Sequence, residues 1–208
     1  MGLQSLSQNR WVKAAKLLFV VVFLPFLVAL AAAFIRETNS LSFLLFRTFY
    51  AGVAVYLLFH IFIYEPVKFY RRSQKLIEFV FSIFAPVFKV SYYIIPFWIL
   101  VVLAAYFLLV VWLKIIFLLP FFFFLCGFVF TMHLVMVAKI MKTDKIGKVV
   151  DYLFLIFWVI AINLLFLSLN LQLYSEKFSF AVVVKAGIKE GASFFQHIFR
   201  QLFVPAVK

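Results

Sequence analysis

Two histidines are the side chains in this sequence whose type and placement could do chemistry in an apolar setting. His60 and His133 each lie close to the end of a long apolar run, and neither run holds a second histidine. If both runs point the same way, the two imidazoles stand at one depth, as the paired axial ligands of a b-type haem require. No small residue flanks either histidine closely enough to open space for a porphyrin face. An imidazole near an interface also has an ordinary use in bonding to headgroups or water. The expectation is therefore no cofactor, with haem on His60 and His133 as the alternative.

The rest of the chemical inventory is thin. Arg47 lies a turn inside the second apolar run and reads as a side chain that snorkels to the interface. Asn163 sits near the middle of the last run, with Ser168 and Asn170 beyond it, and suits hydrogen bonding between helices. No Asp or Glu occupies the interior of any run; Glu65 and Asp151 stand only at ends. That pattern excludes proton-coupled carriers, proton-driven motor stators and intramembrane aspartyl proteases, which work through embedded carboxylates. Cys126 is the one cysteine, so no thiol pair exists for redox chemistry, and within an apolar run it behaves as a small hydrophobe. The sole Gly-x-Ser, Gly191-Ala192-Ser193 with His197 four residues on, lies outside every run and is too short a match for a nucleophile site. No glycine-rich phosphate loop is present. These residues point away from an enzyme.

Composition says what surrounds them. The 208 residues are 68% hydrophobic and 13% charged, with a mean hydropathy of +1.17. Soluble domains average about 45–50% apolar and about 25% charged. A chain this apolar cannot cover itself with polar groups, so its solvent is lipid. Soluble enzymes, cytosolic binding modules, disordered regulators and disulfide scaffolds are excluded. The excess of 20 Lys and Arg over 7 Asp and Glu would suggest nucleic acid in a soluble protein. Here it serves topology and anionic headgroups, and no nucleic-acid partner is expected.

A hydrocarbon core about 30 Å thick needs about 20 apolar residues per helical crossing. Five runs qualify: 17–35, 43–63, 92–113, 115–138 and 149–173. The third and fourth are separated by little more than Lys114, and as one helix they would exceed twice the hydrocarbon thickness, so they must turn back near Trp112-Leu113-Lys114 and Pro120. The first run follows Arg10, Lys13 and Lys16 and is long enough to span, which predicts an uncleaved signal anchor. The start Met1-Gly2-Leu3-Gln4-Ser5-Leu6 misses the myristoylation pattern at its sixth position.

Basic residues set the threading. The N-terminal segment, the loop holding Lys68, Arg71, Arg72, Lys75 and Lys89, and the loop holding Lys139, Lys142, Lys145 and Lys148 fall on one side. The two short loops opposite hold only Arg36 and Lys114, which places the N-terminus in the cytoplasm and the chain in a bacterial or organellar inner membrane. Five spans then put the tail, with Lys177, Lys185, Lys189, Arg200 and Lys208, on the outer side, and a re-entrant segment in place of one span would return it to the cytoplasm. Two further stretches, about 66–85 and about 178–204, read as basic amphipathic helices lying in the interface. Lys68, Arg71, Arg72 and Lys75 mark the polar side of the first, and Lys185, Lys189 and Arg200 that of the second. On the opposite side of the second stand Ile188, Phe194, Phe195, Ile198, Phe199, Leu202 and Phe203. Such stripes contact anionic lipid or fill a partner's groove.

The chain thus reads as one all-α polytopic membrane domain, residues 1–208, with five spans and two interfacial helices. Its leading functional reading is a non-enzymatic, multi-pass subunit of a secretion or energy-converting assembly, touching membrane lipids and other subunits. One alternative is a five-span haem anchor of a quinone-linked oxidoreductase. Another is a lipid or small-solute transporter component, in which Pro25, Pro96 and Pro120 kink the helices lining a path and Arg47 or Asn163 contacts cargo.

Overall fold

The computed structural model describes residues 10–62, 96–143 and 149–203, and every regular element among them is helical. Helix α1, Arg10–Thr38, runs unbroken through Pro25, and α2 covers Phe43–Phe62. Helix α3, Phe97–Tyr106, passes directly into a π-helical stretch, Phe107–Trp112. A single 3-10 turn, Ile116–Leu118, leads into α4, Leu119–Thr143. Helices α5, Val149–Tyr174, and α6, Phe180–Phe203, complete the order. The interfacial stretch expected at 66–85, with Lys68, Arg71, Arg72 and Lys75, lies outside the described residues.

Among the described residues four helices are long and apolar enough to cross a membrane: α1, α2, α4 and α5. The run expected at 92–113 is seen as Phe97–Trp112, too short for that class. Its far end closes where the sequence places the turn. Lys114 adopts a left-handed conformation with φ 59°. The Leu113 N–H donates to the Leu108 carbonyl at 3.1 Å, and the Ile115 N–H to Leu109 at 3.0 Å, so the reversal takes the last carbonyls of the π turn with it.

Helices α2 and α4 lie side by side in parallel, joined where each contributes a glycine. A β-carbon on Gly52 would stand 2.0 Å from the Phe124 carbonyl oxygen, and one on Gly127 would stand 2.2 Å from that of Phe49. Only a residue without a side chain permits backbones this close, the logic of small residues at helix seams in lipid. Helices α1 and α5 also run in parallel. At their shared start, Lys16 Nζ sits 2.6 Å from Asp151 Oδ1 and 5.7 Å over the Phe154 ring. Asp151 in the first turn of α5 also complements the positive end of that helix. Higher up, Phe19 stacks on Trp158 and meets Phe154 and Phe157 edge-on.

The core runs along α3, α4 and α5 and includes Ile99, Phe122, Phe123, Cys126, Leu167 and Leu171. A second cluster nearer the start of α5 gathers Tyr56, Met136, Val137, Ile140, Met141 and Val159. Buried polar side chains bond within their own helices: Thr131 to the Gly127 carbonyl at 2.8 Å, and Ser168 to Leu164 at 2.7 Å. Asn163 and Asn170 donate to Val159 and Phe166, each at 2.7 Å. Donation to the carbonyl four residues back is what short polar side chains do inside a helix, and it spares their donors an unpaired burial.

Candidate functional site

Helix α6 is the element whose placement differs most from a helix lying loose at an interface. Its beginning is fixed by polar groups. The Ser179 hydroxyl accepts the Val182 N–H at 3.3 Å, an N-cap. Glu37 Oε1, from the end of α1, accepts the Ser179 N–H at 2.9 Å. Gln172 Oε1, from the end of α5, accepts the Phe180 N–H at 2.8 Å. Ser40 ties down the same loop by donating to the Lys177 carbonyl at 2.8 Å. The helix therefore starts level with the ends of α1 and α5, with a carboxylate at its positive terminus.

From that start α6 doubles back along α1. Phe178 packs on Phe34 with ring centroids 5.9 Å apart. A β-carbon on Gly187 would meet the backbone of Leu30 at 3.0 Å, and one on Gly191 would meet the Phe26 ring at 2.3 Å. Phe195 then stacks on Phe26 at 5.8 Å. Rising positions on α6 meet falling positions on α1, so the pair is antiparallel. Side chains lean toward the N-terminus of their own helix, so in an antiparallel pair they lean toward each other. That is how Arg36 reaches Glu190 across the pair.

The face of α6 that docks is the small-residue stripe Val183, Gly187 and Gly191, all buried. This corrects the expected apolar side. Ile188 and Phe199 are 59% and 60% exposed and lie on a flank away from the glycines, while Phe195 is drawn into the seam and Phe194, on the glycine side of the helix, stays 49% exposed. The signal was present as Gly187-x-x-x-Gly191, the spacing that lets two helices close on each other. Lys185, Lys189, Gln196, His197 and Arg200 are exposed. No described residue forms an ion pair with Lys185, Lys189 or Arg200.

The other expected residues fall elsewhere. His60 and His133 do share a level. Gly52 lies against Phe124 and Phe128, Gly127 against Phe49 and Val53, and counting on from that seam brings the histidines within about a turn of each other. His133 is 1% exposed. The Tyr56 ring stacks on His60 at 6.0 Å and meets Phe128 edge-on at 5.1 Å. At this level Tyr56, Met136, Val137 and Ile140 belong to one packed cluster. Tyr56 Oη and His60 Nδ1 are buried with no hydrogen-bond partner among the described residues. No group of three or more metal-ligating side chains occurs among those residues. Arg47 is exposed and folds back over Phe43, its guanidinium 5.1 Å from the ring centroid, the posture of a snorkelling side chain. Asn163 is fully buried in α5, far from Arg47 in the chain and on a different helix. Comparison with protein-family models, with curated proteins and with solved structures yields no match.

Proposed function

We propose that this chain is a membrane-embedded, non-enzymatic subunit of a larger inner-membrane assembly, of the secretion or energy-converting kind, acting in assembly or scaffolding. The observation that carries this reading is α6. It is locked by cap and glycine seam against a helix long and apolar enough to cross a bilayer, while its basic row and the neighbouring flank of Ile188 and Phe199 are exposed. A helix that only anchored the fold in lipid would turn its large apolar residues inward or toward acyl chains and its charges toward water. Here both kinds of surface sit on one helix held upright beside another. Such a surface matches a docking face better than a lipid anchor, because helix association in membranes rests on packing and polar contacts.

The proposed threading puts Arg10 and the α4–α5 connection in the cytoplasm, following the charge bias. It counts the apolar run 92–113, of which Phe97–Trp112 is described, as the fifth crossing. Native mass spectrometry of the protein released from its own membranes in mild detergent tests the reading. The expected result is a species heavier than 24.3 kDa by at least one other polypeptide in fixed ratio. A chain that always flies alone would reject it.

A further inference from the structure

We infer that the basic row of α6, centred on Lys189, is the contact for a membrane-spanning segment of a different polypeptide that carries a carboxylate at bilayer depth. This rests on the subunit reading and specifies the partner's chemistry.

Depth comes first. Gly191 meets Phe26, the midpoint of the apolar run Leu17–Ile35. Where α1 crosses hydrocarbon, Lys189 therefore stands close to the middle of the crossing. Direction comes next. At about 100° per residue, Lys185, Lys189, Gln196 and Arg200 fall within a sector of about 60°, diametrically opposite Gly187 and Gly191. The row points straight away from α1, and all four residues are exposed. Cations at such depth pair or line a polar path; they do not face acyl chains.

Three occupants could meet the row, and charge separates them. Lipid phosphate stays with the headgroups, about 15 Å from the centre of a core about 30 Å thick. Lys185 can snorkel toward that level, but Lys189 begins near mid-depth. A second copy of the chain brings no acid inside any apolar run. Its Glu190 is engaged by Arg36 and its Asp151 by Lys16, so two copies would set cation against cation. A carboxylate on a spanning helix of another polypeptide satisfies both depth and sign.

The test uses membranes holding the full chain. Dicyclohexylcarbodiimide enters the bilayer and activates buried carboxyl groups, and a neighbouring lysine amine then displaces the urea to form an amide. The expected product joins Lys189 or Lys185 to an Asp or Glu inside an apolar run of another polypeptide. It disappears in the Lys185→Gln, Lys189→Gln double variant, which should reach the membrane at the parent level. A photoreactive phenylalanine in place of Gln196 reports the other occupants, and cross-links confined to phospholipid or to a second copy overturn the inference. Modification of Lys189 by an impermeant amine reagent in sealed cells also overturns it, because the row would then face water. Native mass spectrometry separates the two levels: a retained partner without any lysine–carboxyl link sinks the inference alone, and a lone chain sinks the subunit reading too.

Discussion

The molecule holds two glycine seams, and they are built differently. Between α2 and α4 each helix supplies one glycine, and each glycine faces the other helix's carbonyl backbone. Between α1 and α6 both glycines come from α6, and they rest on Leu30 and Phe26, partly on side-chain atoms. The first seam is mutual and has nothing soft in it. The second is one-sided, with a ring and a leucine that can move. Its outer side also carries charge, whereas α2 and α4 show apolar residues around theirs. A rigid seam suits a fixed core. A one-sided seam suits a helix held in place yet left available on its far side.

Substitution should expose this difference, with the largest effect at the mutual seam. Gly52→Ala or Gly127→Ala forces backbones apart and should cost about 3 kcal/mol, at the upper end of overpacking penalties. Unfolding in graded denaturing detergent would read it as a large shift in midpoint. Gly191→Ala should cost about 1–2 kcal/mol because the Phe26 ring can turn while its Cα cannot, and Gly187→Ala should cost less still. Equal losses at all four glycines would mean that the two seams do not differ in rigidity.

A control lies outside both seams. Lys114 holds a left-handed conformation that disfavours any side chain, so Lys114→Gly should stabilise the hairpin by about 1 kcal/mol in the same titration. The smallest effect belongs to the ion pair beside the second seam. Arg36 and Glu190 are 54% and 44% exposed. A cycle of Arg36→Gln and Glu190→Gln in the isolated chain should therefore give a coupling of about 0.5 kcal/mol. A coupling several times larger would mean that the seam between α1 and α6 is held by charge rather than by close approach.

Much of this was legible in the residues, for identifiable reasons. Apolar runs of spanning length cannot hide, so α1, α2, α4 and α5 follow from hydropathy alone. The reversal at Lys114 follows because two runs without a break would outgrow any bilayer. The course of α6 is another matter. It depends on Glu37 and Gln172 receiving two amide protons at the loop around Ser179, contacts between residues more than a hundred positions apart for Glu37 and eight for Gln172. Periodicity shows that a helix has two sides; it does not say which side meets a neighbour. Glycine adds nothing to an apolar stripe, so hydropathy marks Ile188, Phe194, Phe195, Ile198 and Phe199, whereas the contact is made by Gly187 and Gly191 with Phe195 beside them. The π-helical end of α3 was equally hidden, since Phe107–Trp112 reads as ordinary apolar helix.

The bond between Lys16 and Asp151 links residues 135 positions apart, and Arg36 with Glu190 spans 154. Helix α1 therefore waits for α5 and α6 to be made before it gains these neighbours. At about 5–20 residues per second that delay is on the order of ten to thirty seconds. During it, α1 stands with Phe19 and Phe26 uncovered by α5 and α6, a period in which an insertion chaperone has something to hold.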